Sequence, residues 1–297
     1  MSESNATPAI QSFNPATKQL LGEVPVTSAE KLDTGIARAR AAQAEWGATS
    51  LKTRAEILAS VRKAIARQGK SLARLIAAET GKTEWEGWIE VLQTVEHFRA
   101  VTAIGPTVLK RERRSAGILK TKRAFVNYLS FGVAGIISPW NYPLILTVGP
   151  IAEALMAGNV VVVKPSEWTP LVGQALENLF AESRLPSGLV EFVYGYSSVG
   201  SQIVDSPDVD LICFTGSVSV GRKIARRCGE LLKPVILELG GNDPLIVLED
   251  ANLERAAAAA VWGGFTNAGQ TCISVERVIV VESVAEKFIE LLKEKTA

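Results

Sequence analysis

A chain of 297 residues, 47% apolar and 21% charged, has the length of about two domains and enough apolar side chains to bury a core. Those proportions exclude a disordered chain, and the 32 basic against 31 acidic residues give no electrostatic case for nucleic acid or an anionic membrane surface as a partner. Cys213, Cys228 and Cys272 are odd in number and far apart, which excludes a disulfide scaffold and fits a reducing cytoplasm.

The first ten residues carry neither a basic region nor an apolar stretch, so no signal peptide is expected there. Residues 10–26 predict a short hairpin with Asn14-Pro15 at the turn. Ser28 is placed to cap a helix running to Trp46. Ile57, Leu58, Val61, Ile65, Leu72, Leu75 and Ile76 then recur at helical spacing up to Gly81, and a further helix is predicted over Glu84–Ala103.

That last helix contains His97, the only histidine. A single histidine excludes multi-histidine metal sites, and no cysteine pair has finger-like spacing, so no metal is expected. His97 itself reads as a helix-surface or packing residue. Any covalent chemistry would then draw its base from a carboxylate.

Lys110–Arg123 is the densest basic stretch and reads as a solvated hairpin or loop; Ile118–Phe131 reads as extended. The apolar run from Phe131 to Val163 is broken by Pro139, Asn141, Pro143, Pro150, Glu153 and Asn159, and no membrane span is read there.

From Val133 onward the pattern changes. Val133–Ile137, Val160–Lys164, Leu189–Val193, Leu211–Phe214 and Val235–Glu238 are short apolar runs. Helical stretches at about Leu144–Ala157, Pro170–Ser183, Val199–Asp205 and Val218–Cys228 separate them. This alternation predicts an α/β fold with a doubly wound, five-stranded parallel sheet. Beyond it, Leu245–Leu248 and Arg277–Val281 read as strands, Asn252–Gly263 as a helix, and a last helix starts near Val284.

Ligands of such sheets bind at the carboxyl ends of the strands, so the residues just after each strand carry the functional reading. Gly216 and Ser217 lead into a helix that contains Gly221; this is neither the usual dinucleotide fingerprint nor a P-loop, and a glycine turn before a helix N-terminus can hold a pyrophosphate, with packing as the competing reading. Lys164 and Glu167 follow the second strand, where a carboxylate can accept hydrogen bonds from both ribose hydroxyls; a surface ion pair is the competing reading. Cys272 lies among small residues that leave room for a substrate, with a buried small side chain as the commoner competing reading of a lone cysteine; Cys213 and Cys228 take that second reading.

Pro139-Trp140-Asn141-Tyr142-Pro143, Lys164-Pro165-Ser166-Glu167, Phe214-Thr215-Gly216-Ser217, Leu237-Glu238-Leu239-Gly240-Gly241 and Gly269-Gln270-Thr271-Cys272 together resemble the aldehyde dehydrogenase superfamily, in its order and at its spacing. The resemblance implies a Rossmann-like NAD-binding domain over 1–117 and 132–240, an oligomerisation hairpin at 118–131, and the beginning of a catalytic domain at 241–297. It implies Cys272 as nucleophile, Asn141 as donor to the oxyanion and Glu238 as general base. It places Trp140, Lys164, Glu167, Phe214, Gly216, Ser217, Gly221, Leu239 and Gly240 around the cofactor. The implied cofactor is NAD, with NADP possible; Glu167 favours NAD because a carboxylate repels a 2′-phosphate. The implied partners are an aldehyde substrate and further copies of the chain in a homo-oligomer. Members of the family are longer. Their further segment supplies a Glu-x-Phe for the cofactor ribose, most of the catalytic domain and a strand of the oligomer interface. An inactive nucleotide-binding fragment or interaction protein is therefore the second expectation. A CoA-acylating or phosphate-reducing relative is the third, disfavoured by the water-activating Glu238.

Overall fold

The computed structural model describes residues 8–297, so most of the N-terminal stretch read for a signal peptide lies outside the described residues. The chain forms two compact units. One runs up to Thr215 and includes Ser219–Leu237; the other joins Gly216–Val218 to Glu238–Ala297.

The first unit opens with the antiparallel pair β1 (Ala9–Phe13) and β2 (Leu20–Pro25). Asn14 Oδ1 accepts from the amides of Ala16 and Thr17 and so closes the turn between them. Ser28 Oγ accepts from the Lys31 amide and caps α1 (Ala29–Ala48). The next helical run divides into α2 (Leu51–Arg67) and α3 (Gly69–Thr80), with Gln68 leaving helical geometry between them. The division lets α3 approach the following helix: a Cβ on Gly69 would come within 2.9 Å of the Trp88 ring. Gly81, at φ +76°, ends α3 in the left-handed region.

A capping box between Thr83 and Glu86 opens α4 (Glu84–Val108), which runs past the predicted end at Ala103. The basic segment folds as the hairpin β3 (Glu112–Arg114) and β4 (Ala124–Val126). Pairing thus begins upstream of the 118–131 segment read as the hairpin. The Arg111 guanidinium lies 3.7 Å from the Phe125 ring centre and Arg114 pairs with Glu112, interactions of charged side chains that hydrophobic patterning does not register.

The doubly wound, five-stranded parallel sheet comes next in the chain: β5 (Val133–Ile137), β6 (Val160–Lys164), β7 (Val190–Phe192), β8 (Leu211–Gly216) and β9 (Val235–Leu239), in the order β7-β6-β5-β8-β9. The intervening helices are α5 (Ile145–Met156), α6 (Pro170–Ala181), α7 (Ser197–Asp205) and α8 (Val218–Glu230). Every residue of β5 and β6 is buried, as strands covered on both faces require. Each such valine or isoleucine contributes roughly 1.5–3 kcal/mol of burial. The strand order reverses between β5 and β8, which makes the carboxyl ends of these strands the expected ligand ground.

The second unit holds the parallel pair β10 (Asp243–Val247) and β11 (Val275–Val280), α9 (Leu253–Phe265) capped by Asn252, a 3-10 turn at Thr266–Gly269, and α10 (Glu282–Thr296). Val247, Ala257, Ala260 and Phe288 form its core. Pleating turns the registered neighbours Ile246 and Ile279 outward, and they remain 62% and 52% exposed. Among the described residues no helix is long and apolar enough to cross a membrane.

Candidate active site

In the first unit, β5 ends in Ser138-Pro139-Trp140-Asn141. Trp140 is exposed and Asn141 half-buried. The Ser138 amide donates to the Lys164 carbonyl, and its hydroxyl accepts from Thr147 Oγ1 at 2.8 Å. Two residues that sequence reasoning missed hold the segment beyond Trp140. Lys82 Nζ donates to the Asn141 carbonyl at 2.7 Å, lies 2.9 Å from Glu90 Oε2 and sits 4.4 Å from the Tyr142 ring centre. Glu90 Oε1 accepts from the amides of Leu144 at 2.8 Å and Ile145 at 3.1 Å. Both side chains are fully buried. Burial pushes the Glu90 carboxyl up and the Lys82 ammonium down, and each is opposed by the partner's charge.

At the end of β6, Lys164 is buried with its three donors used inside the protein. Nζ donates to the carbonyls of Pro165 at 3.0 Å and Gly195 at 2.9 Å and to Glu167 Oε2 at 3.0 Å. The Glu167 side chain remains 34% exposed. The two residues expected beside the ribose are therefore joined, with the carboxylate presented outward. At the end of β8, Phe214 is buried, and Gly221 is buried in α8.

The second unit carries Gly216 and the exposed Ser217 just before α8, and Glu238 exposed on β9 with Leu239 half-buried and Gly240 exposed. Cys272 is exposed on the loop between the 3-10 turn and β11; within that turn Asn267, Ala268 and Gly269 adopt φ of +61°, +56° and +73° in succession. Left-handed geometry at the two non-glycine residues costs of order 1–3 kcal/mol each, and local bonds offset it. Gln270 Nε2 donates to the Asn267 carbonyl at 3.0 Å, Thr271 Oγ1 to the Thr266 carbonyl at 3.3 Å, and the Ser274 amide to the Thr271 carbonyl at 3.1 Å. Cys228 is buried, and burial pushes its thiol up, away from a reactive thiolate. None of the three cysteines forms a disulfide. His97 packs between helices and faces Glu153, outside this group.

The first unit thus brings together Trp140, Asn141, Lys164, Glu167 and Phe214 at the carboxyl ends of its strands, and the second carries Glu238 and Cys272. The sheet order defines a doubly wound α/β protein. The sequence profile of the aldehyde dehydrogenase family matches residues 1–297, and the chain belongs to that family. It is 35% identical over 286 residues to a 4,4′-diapolycopene aldehyde oxidase of Methylomonas sp, covering 95% of this chain and 54% of the relative. It is 36% identical over 290 residues to a probable succinate-semialdehyde dehydrogenase (NADP(+)) of Sinorhizobium fredii, covering 95% and 58%. The structure superposes on an NAD-dependent benzaldehyde dehydrogenase from Corynebacterium glutamicum with TM-score 0.90 at 32% identity, over 99% of this chain and 64% of that one. The chain spans about half the length of the curated relatives it matches.

Proposed function

We propose that this chain carries the cofactor-binding part and the nucleophile of an aldehyde dehydrogenase that oxidises an aldehyde to a carboxylic acid with NAD, NADP being possible. The observation that carries the reading is the exposed thiol of Cys272, on a loop that follows three successive left-handed residues and is braced by its own hydrogen bonds, in a family member whose other cysteines lie in the sheet and the core.

The thiolate of Cys272 adds to the aldehyde carbon, and the carbonyl π electrons move to oxygen. The side-chain amide of Asn141 and the backbone N–H of Cys272 donate to that oxyanion; one such donor is worth roughly 2.7–4 kcal/mol. When bound, the nicotinamide supplies the acceptor for the hydride that leaves the tetrahedral carbon. A thioester on Cys272 remains. Glu238 takes a proton from water, whose oxygen attacks the thioester carbon, releasing the acid and regenerating the thiolate. The residues fit a dinucleotide: the outward Glu167 carboxylate steadied by Lys164 suits a ribose diol, and Ser217 precedes the N-terminus of an extended helix. Trp140, Phe214, Gly216, Gly221, Leu239 and Gly240 complete this proposed surround.

In this reading, residues 1–117 and 132–240 are the cofactor-binding domain, 118–131 belongs to an oligomerisation hairpin, and 241–297 begins the catalytic domain. The three thiols suit a reducing cytoplasm. The test is aldehyde-dependent NADH formation by the purified chain over a broad aldehyde panel, with Cys272→Ala alongside. Turnover that Cys272→Ala abolishes while cofactor binding persists is expected; turnover unchanged in the variant overturns the assignment of the nucleophile. A second reading, a nucleotide-binding fragment that acts by association, is favoured by the exposed Ile246 and Ile279. Cofactor binding by calorimetry without turnover would support it.

A further inference from the structure

We propose that the buried Lys82–Glu90 ion pair is a positioning device that fixes the strap 141–145 and, through it, Asn141. The link to catalysis rests on the reading of Asn141 as oxyanion donor; the mechanical claim does not.

A buried ion pair is a poor way to stabilise a fold. Removing two charges from water costs several kcal/mol per ion, and a well-packed apolar pair of similar volume is often as stable or more so. Both side chains are fully buried here, so stability alone does not account for them. Their remaining bonds go to the strap. Lys82 takes the carbonyl of Asn141, and Glu90 takes the amides of Leu144 and Ile145, so the pair grips both ends of it. Tyr142 lies between these holds with its ring against the ammonium. At the start of α5 no side chain of its own cap residue, Leu144, satisfies the first amides, and Glu90 does so from α4.

A second buried carboxylate in the same unit isolates the part played by the lysine. Glu79 accepts from the amides of Leu171 and Val172 at the start of α6, at 3.0 and 2.8 Å, with the Ser12 hydroxyl as its other donor. Capping a helix from a neighbouring helix therefore needs no lysine in this fold. What Lys82 adds at the corresponding place is the bond to the Asn141 carbonyl. A donor to a developing oxyanion must be held within about 0.5 Å, and a strap that contains Pro143 and follows Pro139 has few amides of its own for that purpose.

The test compares wild type with Lys82→Met by amide hydrogen exchange on the full chain. The expected result is exchange at least about tenfold faster over residues 140–146, with β5 and β6 unchanged. Unchanged protection of the strap, or uniform acceleration across the unit, overturns the proposal. Should Lys82→Met not fold, Glu90→Gln makes the same comparison. The kinetic arm uses Asn141→Ala, Lys82→Met and the double variant with aldehyde and NAD. The expected result is a fall in kcat of roughly 10²–10³ for Asn141→Ala, a smaller fall for Lys82→Met with cofactor affinity unchanged, and no further loss in the double variant. Additive losses overturn the link between the pair and Asn141. Wild-type turnover in Asn141→Ala removes the catalytic reading of that residue, and the exchange result still decides whether the pair positions the strap.

Discussion

Lys164 Nζ, buried and bonded to two carbonyls, holds Glu167 Oε2 at 3.0 Å, so the carboxylate is anchored on one side and a third exposed on the other. An anchored carboxylate can accept from a 2′-hydroxyl and repels a 2′-phosphate, while the lysine offsets part of that repulsion. NAD is therefore expected to bind tighter than NADP, by a factor on the order of ten, corresponding to about 1.4 kcal/mol. Calorimetric dissociation constants for the two cofactors measure this, and Glu167→Gln should narrow the gap. Equal or tighter binding of NADP by the wild type would refute the preference.

Glu238 has a separable role in the proposed reaction. If it activates water after hydride transfer, Glu238→Gln leaves acylation intact and stalls the thioester. The expected behaviour is one rapid equivalent of NADH followed by turnover slowed at least about a hundredfold. Intact mass spectrometry should show the acyl group added to the protein, and no such adduct in Glu238→Gln/Cys272→Ala. A variant that turns over without a burst and without an adduct would assign the water-activating step to another group.

The strands of the sheet were legible because β5 and β6 are continuous apolar runs with both faces covered, a pattern that side-chain chemistry alone reveals. The cap at Ser28 was equally plain, since a short polar side chain at a helix start has one strong use, whereas Asn252 read as part of its helix and is its cap. The break at Gln68 was not, because it answers to the packing of Gly69 on Trp88, a contact between residues far apart in the helical pattern. The candidate site divides in the same way. Lys164 and Glu167 could be found at a strand end, but Lys82 and Glu90 lie near the start of a helix and eight positions apart, where charges ordinarily face water. The left-handed Ala268 beside the cysteine loop has no signature, since alanine does not favour that geometry.

Close approach of α3 and α4 gives a test of the fold independent of chemistry. A Cβ at Gly87 would lie 2.5 Å from the Ala73 carbonyl oxygen, whereas a Cβ at Gly229, near the end of α8, would meet nothing within 4 Å. Gly87→Ala must therefore push two helices apart, at a cost of roughly 1–3 kcal/mol. Gly229→Ala removes backbone freedom from the unfolded chain and is expected to stabilise by about 0.4–1 kcal/mol. Denaturant melts of the two variants should shift in opposite directions; a neutral Gly87→Ala would mean that α3 and α4 are not held at this separation.

The sole histidine offers a reading of pH dependence free of overlap. His97 Nε2 on α4 lies 3.2 Å from Glu153 Oε1 on α5. The Glu153 carboxylate 3.2 Å away raises the imidazole above its ordinary value, burial opposes this, and the Gly149 backbone adds to the rise. A folded-state value above the unfolded one, about 6.5, means that the native protein holds the proton more tightly. The stability this contributes is fully present below about pH 6.5 and disappears as pH rises through the folded-state midpoint. One imidazole resonance, followed by proton NMR, should titrate with a midpoint above about 6.5 in the wild type and a lower one in Glu153→Gln. The same substitution should flatten the fall in stability across that window. A wild-type midpoint at or below the unfolded value would remove His97 and Glu153 as a coupled pair.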